Sequence, residues 1–136
     1  MLDVNERYSY WEDIAEYDFE TANAMLNSGR YLYVVFMCQQ AIEKIVKGLF
    51  VYYNDEEPPR THNIINIFEK IHFKNLQSIL DKLEEYRDFL EELLAFYISE
   101  RYPSYKERLS ATVDQTHAQQ VLFKAKEVFS WLKSLK

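Results

Sequence analysis

Five consecutive residues, Arg101-Tyr102-Pro103-Ser104-Tyr105, concentrate chemical potential in this 136-residue chain. A guanidinium beside two phenols, with the chain direction set by a proline, suits a phosphate gripped by arginine and a base stacked on a ring. From the residues alone the plainer use is favoured: Arg101 donates to the last carbonyls of a preceding helix and the tyrosines pack on the end of a bundle. A second concentration runs through Gln39, Gln40, Glu43, Lys44 and Lys47. At about 100° per residue these five share one helix face. Glu43 and Lys47 stand four apart in the favoured order for an ion pair. A polar stripe on an amphipathic helix ordinarily meets water, but neighbouring glutamines are poor choices for solubility alone. The stripe is expected to face another chain or a ligand.

Other chemistries find less support. His62, His72 and His117 lie far from one another, from Cys38 and from suitably paired carboxylates, so a zinc site would need ligands gathered from distant loops. Gly29 and Gly48 stand alone, so no glycine-rich phosphate loop exists. Cys38 sits among apolar residues and is a poor nucleophile candidate. Asp18 falls within an apolar stripe. It either leans out to water or is a half-buried carboxylate that needs a cation.

These residues must be held by helices. Trp11, Ile14, Ala15, Phe19, Ala22, Met25 and Leu26 recur at steps of three and four over residues 3–27, and Gly29 supplies the stop. Residues 31–53 form a second helix, whose broad apolar face holds Val34, Val35, Cys38, Ala41, Ile42, Ile45, Val46 and Leu49. A loop rich in proline and acid follows, and Thr61 or His62 begins a short helix reaching about His72. Residues 75–100 carry a heptad seam of Leu76, Ile79, Leu83, Tyr86, Leu90, Leu93 and Tyr97. Leu80, Phe89, Leu94 and Phe96 form a second strip, read as a dimer contact. After Pro103 breaks the helix, Thr112 with Gln115, or Asp114 alone, caps a last helix that buries Ala118, Val121, Leu122, Ala125, Val128, Phe129 and Leu132. The expected fold is all-α: one domain over residues 1–136, an antiparallel up-and-down four-helix bundle with a short extra helix.

Composition narrows the function. The net charge of −6 argues against a generic nucleic-acid coat. Yet residues 101–136 hold 7 basic and 3 acidic side chains, whereas residues 1–30 hold 2 and 7. A basic last quarter on an acidic protein fits a local anion site or attraction between subunits. One cysteine, no apolar run near 18 residues and a polar start without an apolar leader fit a reducing cytoplasm and no membrane span.

The pattern resembles the HEPN family of small helical bundles. The resemblance rests on Trp11 and Ala15-x-x-Asp18-Phe19-x-x-Ala22, then Gly29-x-Tyr31. It continues through Phe36-x-Cys38-Gln39-Gln40-Ala41-x-Glu43-Lys44-x-x-Lys47, Thr61-His62-Asn63-Ile64 and Arg101-Tyr102-Pro103. It implies a bundle that dimerises with itself. It also implies a possible partner in a minimal nucleotidyltransferase, this chain being the toxin side of a toxin–antitoxin pair. Active HEPN toxins are metal-independent ribonucleases with Arg, four to six residues, then His. Arg101 matches that arginine, but positions 106, 107 and 108 hold Lys106, Glu107 and Arg108, so the motif is degenerate.

The resemblance thus implies nucleotide or RNA-phosphate binding, without catalytic residues, metal or cofactor. Arg101 is the anchor, Tyr102 and Tyr105 stack, and Lys44, Lys47 and His62 add charge. Asp18, Gln40 and Glu43 support them. The alternatives are a structural protein-interaction bundle, or an endoribonuclease with a displaced base such as His62.

Overall fold

The computed structural model describes residues 2–100, 102 and 111–136. Five helices account for most of them: α1 (Val4–Asn27), α2 (Tyr31–Asn54), α3 (Ile64–Phe68), α4 (Leu76–Glu100) and α5 (Gln115–Ser134). No strand occurs among the described residues, and among them no helix is long and apolar enough to cross a membrane. The fold is the expected helical bundle.

Local chemistry sets the helix ends. Asp3 Oδ1 accepts the backbone N–H of Glu6 at 2.9 Å and starts α1. Its C-terminus closes with two reversed bonds, Arg30 N–H to the Met25 carbonyl at 2.8 Å and Gly29 N–H to the Leu26 carbonyl at 3.2 Å. This pairing needs a left-handed residue between, and Gly29 supplies it at φ 76°. The short α3 starts later than expected, because Asn63 rather than Thr61 or His62 caps it, accepting from Asn66 N–H at 3.1 Å. It also ends at Phe68, before His72. Asp114 caps α5 by accepting from His117 N–H at 2.8 Å.

The centre of the bundle is α2, which packs against each of the other four helices. All eight residues of its expected apolar face are buried, none more than 1% exposed. Each large side chain among them stabilises the fold by roughly 1.5–3 kcal/mol. Gly48 permits a close approach of α1: a Cβ added there would stand 2.9 Å from Trp11 Cβ and 3.2 Å from Tyr8 Cδ2. On the α1 side, Phe19 meets Phe129 of α5 edge-on at 4.6 Å.

Two expectations about helix faces change, and a third face proves to be shared with the chain's own core. Ile14 stays exposed, since α1 buries the Ala15, Phe19 and Ala22 side and Ile14 stands off that line. On α4 the seam is buried from Leu83 to Tyr97, but Leu76 is exposed, and Ile79, only partly buried, borders an open cleft with Ser78. In the second strip, Leu80, Phe89 and Phe96 pack against the chain's own core. The apolar side of α4 is wide because its neighbours flank it: Tyr86 meets Trp131 of α5 at 5.5 Å and Phe96 meets His117 at 5.8 Å.

Candidate functional site

Glu43 is the most deeply set charge among the described residues, its side chain 1% exposed. It is one helical turn before Lys47, whose Nζ reaches Glu43 Oε2 at 3.1 Å. The other carboxylate oxygen, Oε1, lies 2.9 Å from His62 Nδ1. A carboxylate removed from water needs such partners, and two of them hold both its oxygens. His62 belongs to the link between α2 and α3, and a second bond ties that link down: Gln39 Nε2 donates to the His62 carbonyl at 2.8 Å.

The polar stripe of α2 is therefore divided. Gln39 and Glu43 are covered by this chain's own loop, not by a partner or ligand, because His62 bonds to both. Gln40, Lys44 and Lys47 remain partly exposed. The side-chain carbonyl oxygens of Gln39 and Gln40 are buried and accept no hydrogen bond from the described residues.

Asp18 of α1 joins the edge of this cluster. Partial burial pushes its carboxyl above the ordinary range, the Lys44 charge opposes that shift, and Glu43 adds to it. Asp18 is thus the half-buried carboxylate with a nearby cation, rather than one leaning into water.

His62 also connects α2 to the end of α4. Its side chain is 43% exposed, and its ring lies 4.7 Å from that of Tyr97, in the last turn of α4. Tyr97 stacks in turn on Phe36 of α2, with centroids 5.1 Å apart and planes within 10°. Tyr97 read in the sequence only as a seam residue, and its heptad position carried no sign of this ring contact. Gln39 read as one of five stripe residues, and its role in holding the His62 backbone was likewise not visible.

Beyond Tyr97, Tyr102 is exposed and its backbone N–H bonds to the Ser99 carbonyl at 3.1 Å. Arg101 and Tyr105 lie outside the described residues. So the structure brings together His62, Glu43 and Lys47, with Lys44 and Asp18 beside them. His117 belongs elsewhere, on α5, with Nε2 at 3.5 Å from Glu92. Among the described residues no group of three or more His, Cys, Asp or Glu could hold a metal ion.

The arrangement has two chemical capacities. A buried carboxylate holding one imidazole nitrogen sets the ring's orientation, as required of a proton-handling histidine or a directed hydrogen-bond donor. Lys44, Lys47 and His62 also present cationic or ionisable groups near one helix face. A solved structure and a family profile share this bundle. The crystal structure of TT1696 from Thermus thermophilus superimposes with a TM-score of 0.73 at 19% identity, covering 96% of this chain and 98% of that one. The comparison with curated proteins found no match. The HEPN domain family profile matches residues 8–135, nearly the whole length. The chain belongs to the HEPN domain family, whose members are in general nucleotide- or RNA-related modules.

Proposed function

We propose that the protein binds a nucleotide or an RNA phosphate where the α2 cluster meets the end of α4. The observation supporting this most directly is the Glu43 bridge, which holds Lys47 and His62 to one carboxylate. With the imidazole protonated, the trio carries a net positive charge, and Lys44 adds another beside it. Arg101, following α4 in the chain, is assigned as the phosphate anchor, with Tyr102 and Tyr105 as stacking platforms. Glu43 and Asp18 orient cations, and Gln40 lines the same stripe.

The finer reading follows family membership. The chain is a cytoplasmic homodimer, the toxin-side component of a pair with a minimal nucleotidyltransferase, and its ribonuclease motif is degenerate because Lys106, Glu107 and Arg108 stand where histidine belongs. One observation favours a second reading, an endoribonuclease with a displaced base: His62 Nδ1 is held at 2.9 Å by a buried carboxylate.

Thermal melting of the wild type, Arg101→Ala and His62→Ala with nucleotides and short single-stranded RNAs tests the binding reading. A ligand that binds only the folded state at about 100 times its Kd stabilises by roughly 2.7 kcal/mol. That rise is expected in the wild type and should shrink in both variants. No rise with any ligand would sink the proposal. RNA cleavage in EDTA that disappears in His62→Ala would instead favour the second reading.

A further inference from the structure

An open groove of about 450 Å³ runs between α3 and α4. Two of its lining residues are chain neighbours of the α2 cluster's contacts: Asn63 directly follows His62, and Ile98 directly follows Tyr97, the ring against His62. Its lining is mixed: Ile65, Leu90, Leu94, Ala95 and Ile98 form the apolar part, and Ile98 is 49% exposed. Its polar groups are of two kinds. Asn63 spends its carbonyl oxygen on the Asn66 N–H, which leaves its amide nitrogen as a donor, and Asn66 adds a complete amide. The charged members are net acidic: Arg87 is taken up by Glu84 at 2.7 Å and Glu69 at 3.8 Å, while Glu91 makes no ion pair with the described residues.

We infer that this groove receives the ribonucleoside end of a nucleotide whose phosphates lie at the His62–Lys47 cluster. The inference deepens the phosphate-binding proposal and rests on it. Charge sorts the two ends: carboxylates repel phosphate from the groove, whereas a neutral base and sugar meet no such penalty. The volume lies in the range of small-molecule sites. The apolar side chains cover the faces of a base, the two asparagines offer amide donors and acceptors to its edge, and the Glu91 carboxylate accepts from ribose hydroxyls.

Titration calorimetry of the whole chain with ATP, 2′,3′-dideoxy-ATP and inorganic tripolyphosphate tests this. The variants are Ile98→Glu and Glu91→Ala, both at exposed positions where the fold should survive, which far-ultraviolet circular dichroism checks. ATP should bind the wild type at least about 10-fold more tightly than tripolyphosphate, a difference of about 1.4 kcal/mol. Ile98→Glu should reduce ATP to the tripolyphosphate level, and Glu91→Ala should narrow the gap between ATP and its dideoxy analogue. Equal binding of ATP and tripolyphosphate overturns the groove assignment and leaves the phosphate site standing. Tighter ATP binding that neither variant alters also overturns it, since the nucleoside then sits elsewhere. Failure of both ligands to bind the wild type removes the phosphate site, and the groove with it. A change of oligomeric state in Ile98→Glu with ATP affinity intact makes the groove a subunit interface instead.

Discussion

Glu43 Oε1 and His62 Nδ1 stand 2.9 Å apart across 19 residues of sequence. This contact fastens the link after α2 back onto the helix it has just left. It buries Gln39 and Glu43 out of the polar stripe and aims an imidazole at the end of α4. Lys47 completes the network from the other oxygen.

Removing one member of that network should cost far more than removing the pair. Glu43→Leu leaves Lys47, only 12% exposed, without its carboxylate. Breaking a buried pair in this way costs roughly 3–5 kcal/mol. The double variant Glu43→Leu/Lys47→Met should lose well under the sum of the two single losses. Urea unfolding of the three variants measures this, and additive losses would show that the two side chains do not act as a unit.

Asp18 should make stability depend on pH in the acid range. Burial raises its folded-state value above the ordinary 3.8. Below that ordinary value both folded and unfolded states hold the proton and nothing is lost. As pH rises from there through the raised folded value, the unfolded state releases its proton first, so stability falls. Asp18→Asn removes this dependence. Its melting temperature should exceed that of the wild type near neutrality and converge with it in strong acid. A constant offset across the range would show that ionisation at this position is not the cause.

Cys38 should be chemically silent in the folded protein. It is fully buried, and burial pushes its thiol up to about 12. Thiolate is the reactive form, so a disulfide-exchange reagent should label Cys38 only at the rate at which the bundle opens. Adding urea should raise that rate in step with unfolding, and rapid labelling in native buffer would contradict the packing of α2.

Gly48→Ala tests the contact between α1 and α2. Alanine gains up to about 1 kcal/mol in helix propensity. Its methyl group would lie 2.9 Å from Trp11 Cβ, on a side chain's rigid root, and overpacking of this kind costs about 1–3 kcal/mol. A net loss is expected in chemical unfolding. Gly29→Ala is the companion variant, its methyl group in ordinary contact with the Tyr31 hydroxyl at 3.9 Å but at φ 76°, where a left-handed alanine costs roughly 1–2 kcal/mol.

Much of the fold was legible because helices announce themselves locally. The apolar spacing of α2 and α5, the left-handed stop at Gly29 and the aspartate before α5 all act within a few residues. The faces were less legible. Whether Phe89 and Phe96 meet a second chain or α5 depends on where α5 packs, and that lies far along the sequence. Ile14 fits the period of its helix as well as Ala15 does, yet only the line of contact with α2 and α5 decides which is covered. Gln39 and Glu43 read as part of a stripe facing another chain or a ligand, because the loop that covers them lies about 20 residues away.

By itself the sequence determined the helices, their order, the apolar sides that drive them together and the family to which the chain belongs. These follow from hydrophobic period, capping chemistry and motif, all written within single segments. The tertiary structure alone decided that Glu43 is buried and shared between Lys47 and His62, that Tyr97 meets the His62 ring, and that a groove opens beside them between α3 and α4. Each of those depends on distances between segments far apart in the chain, which only the packing of the bundle sets.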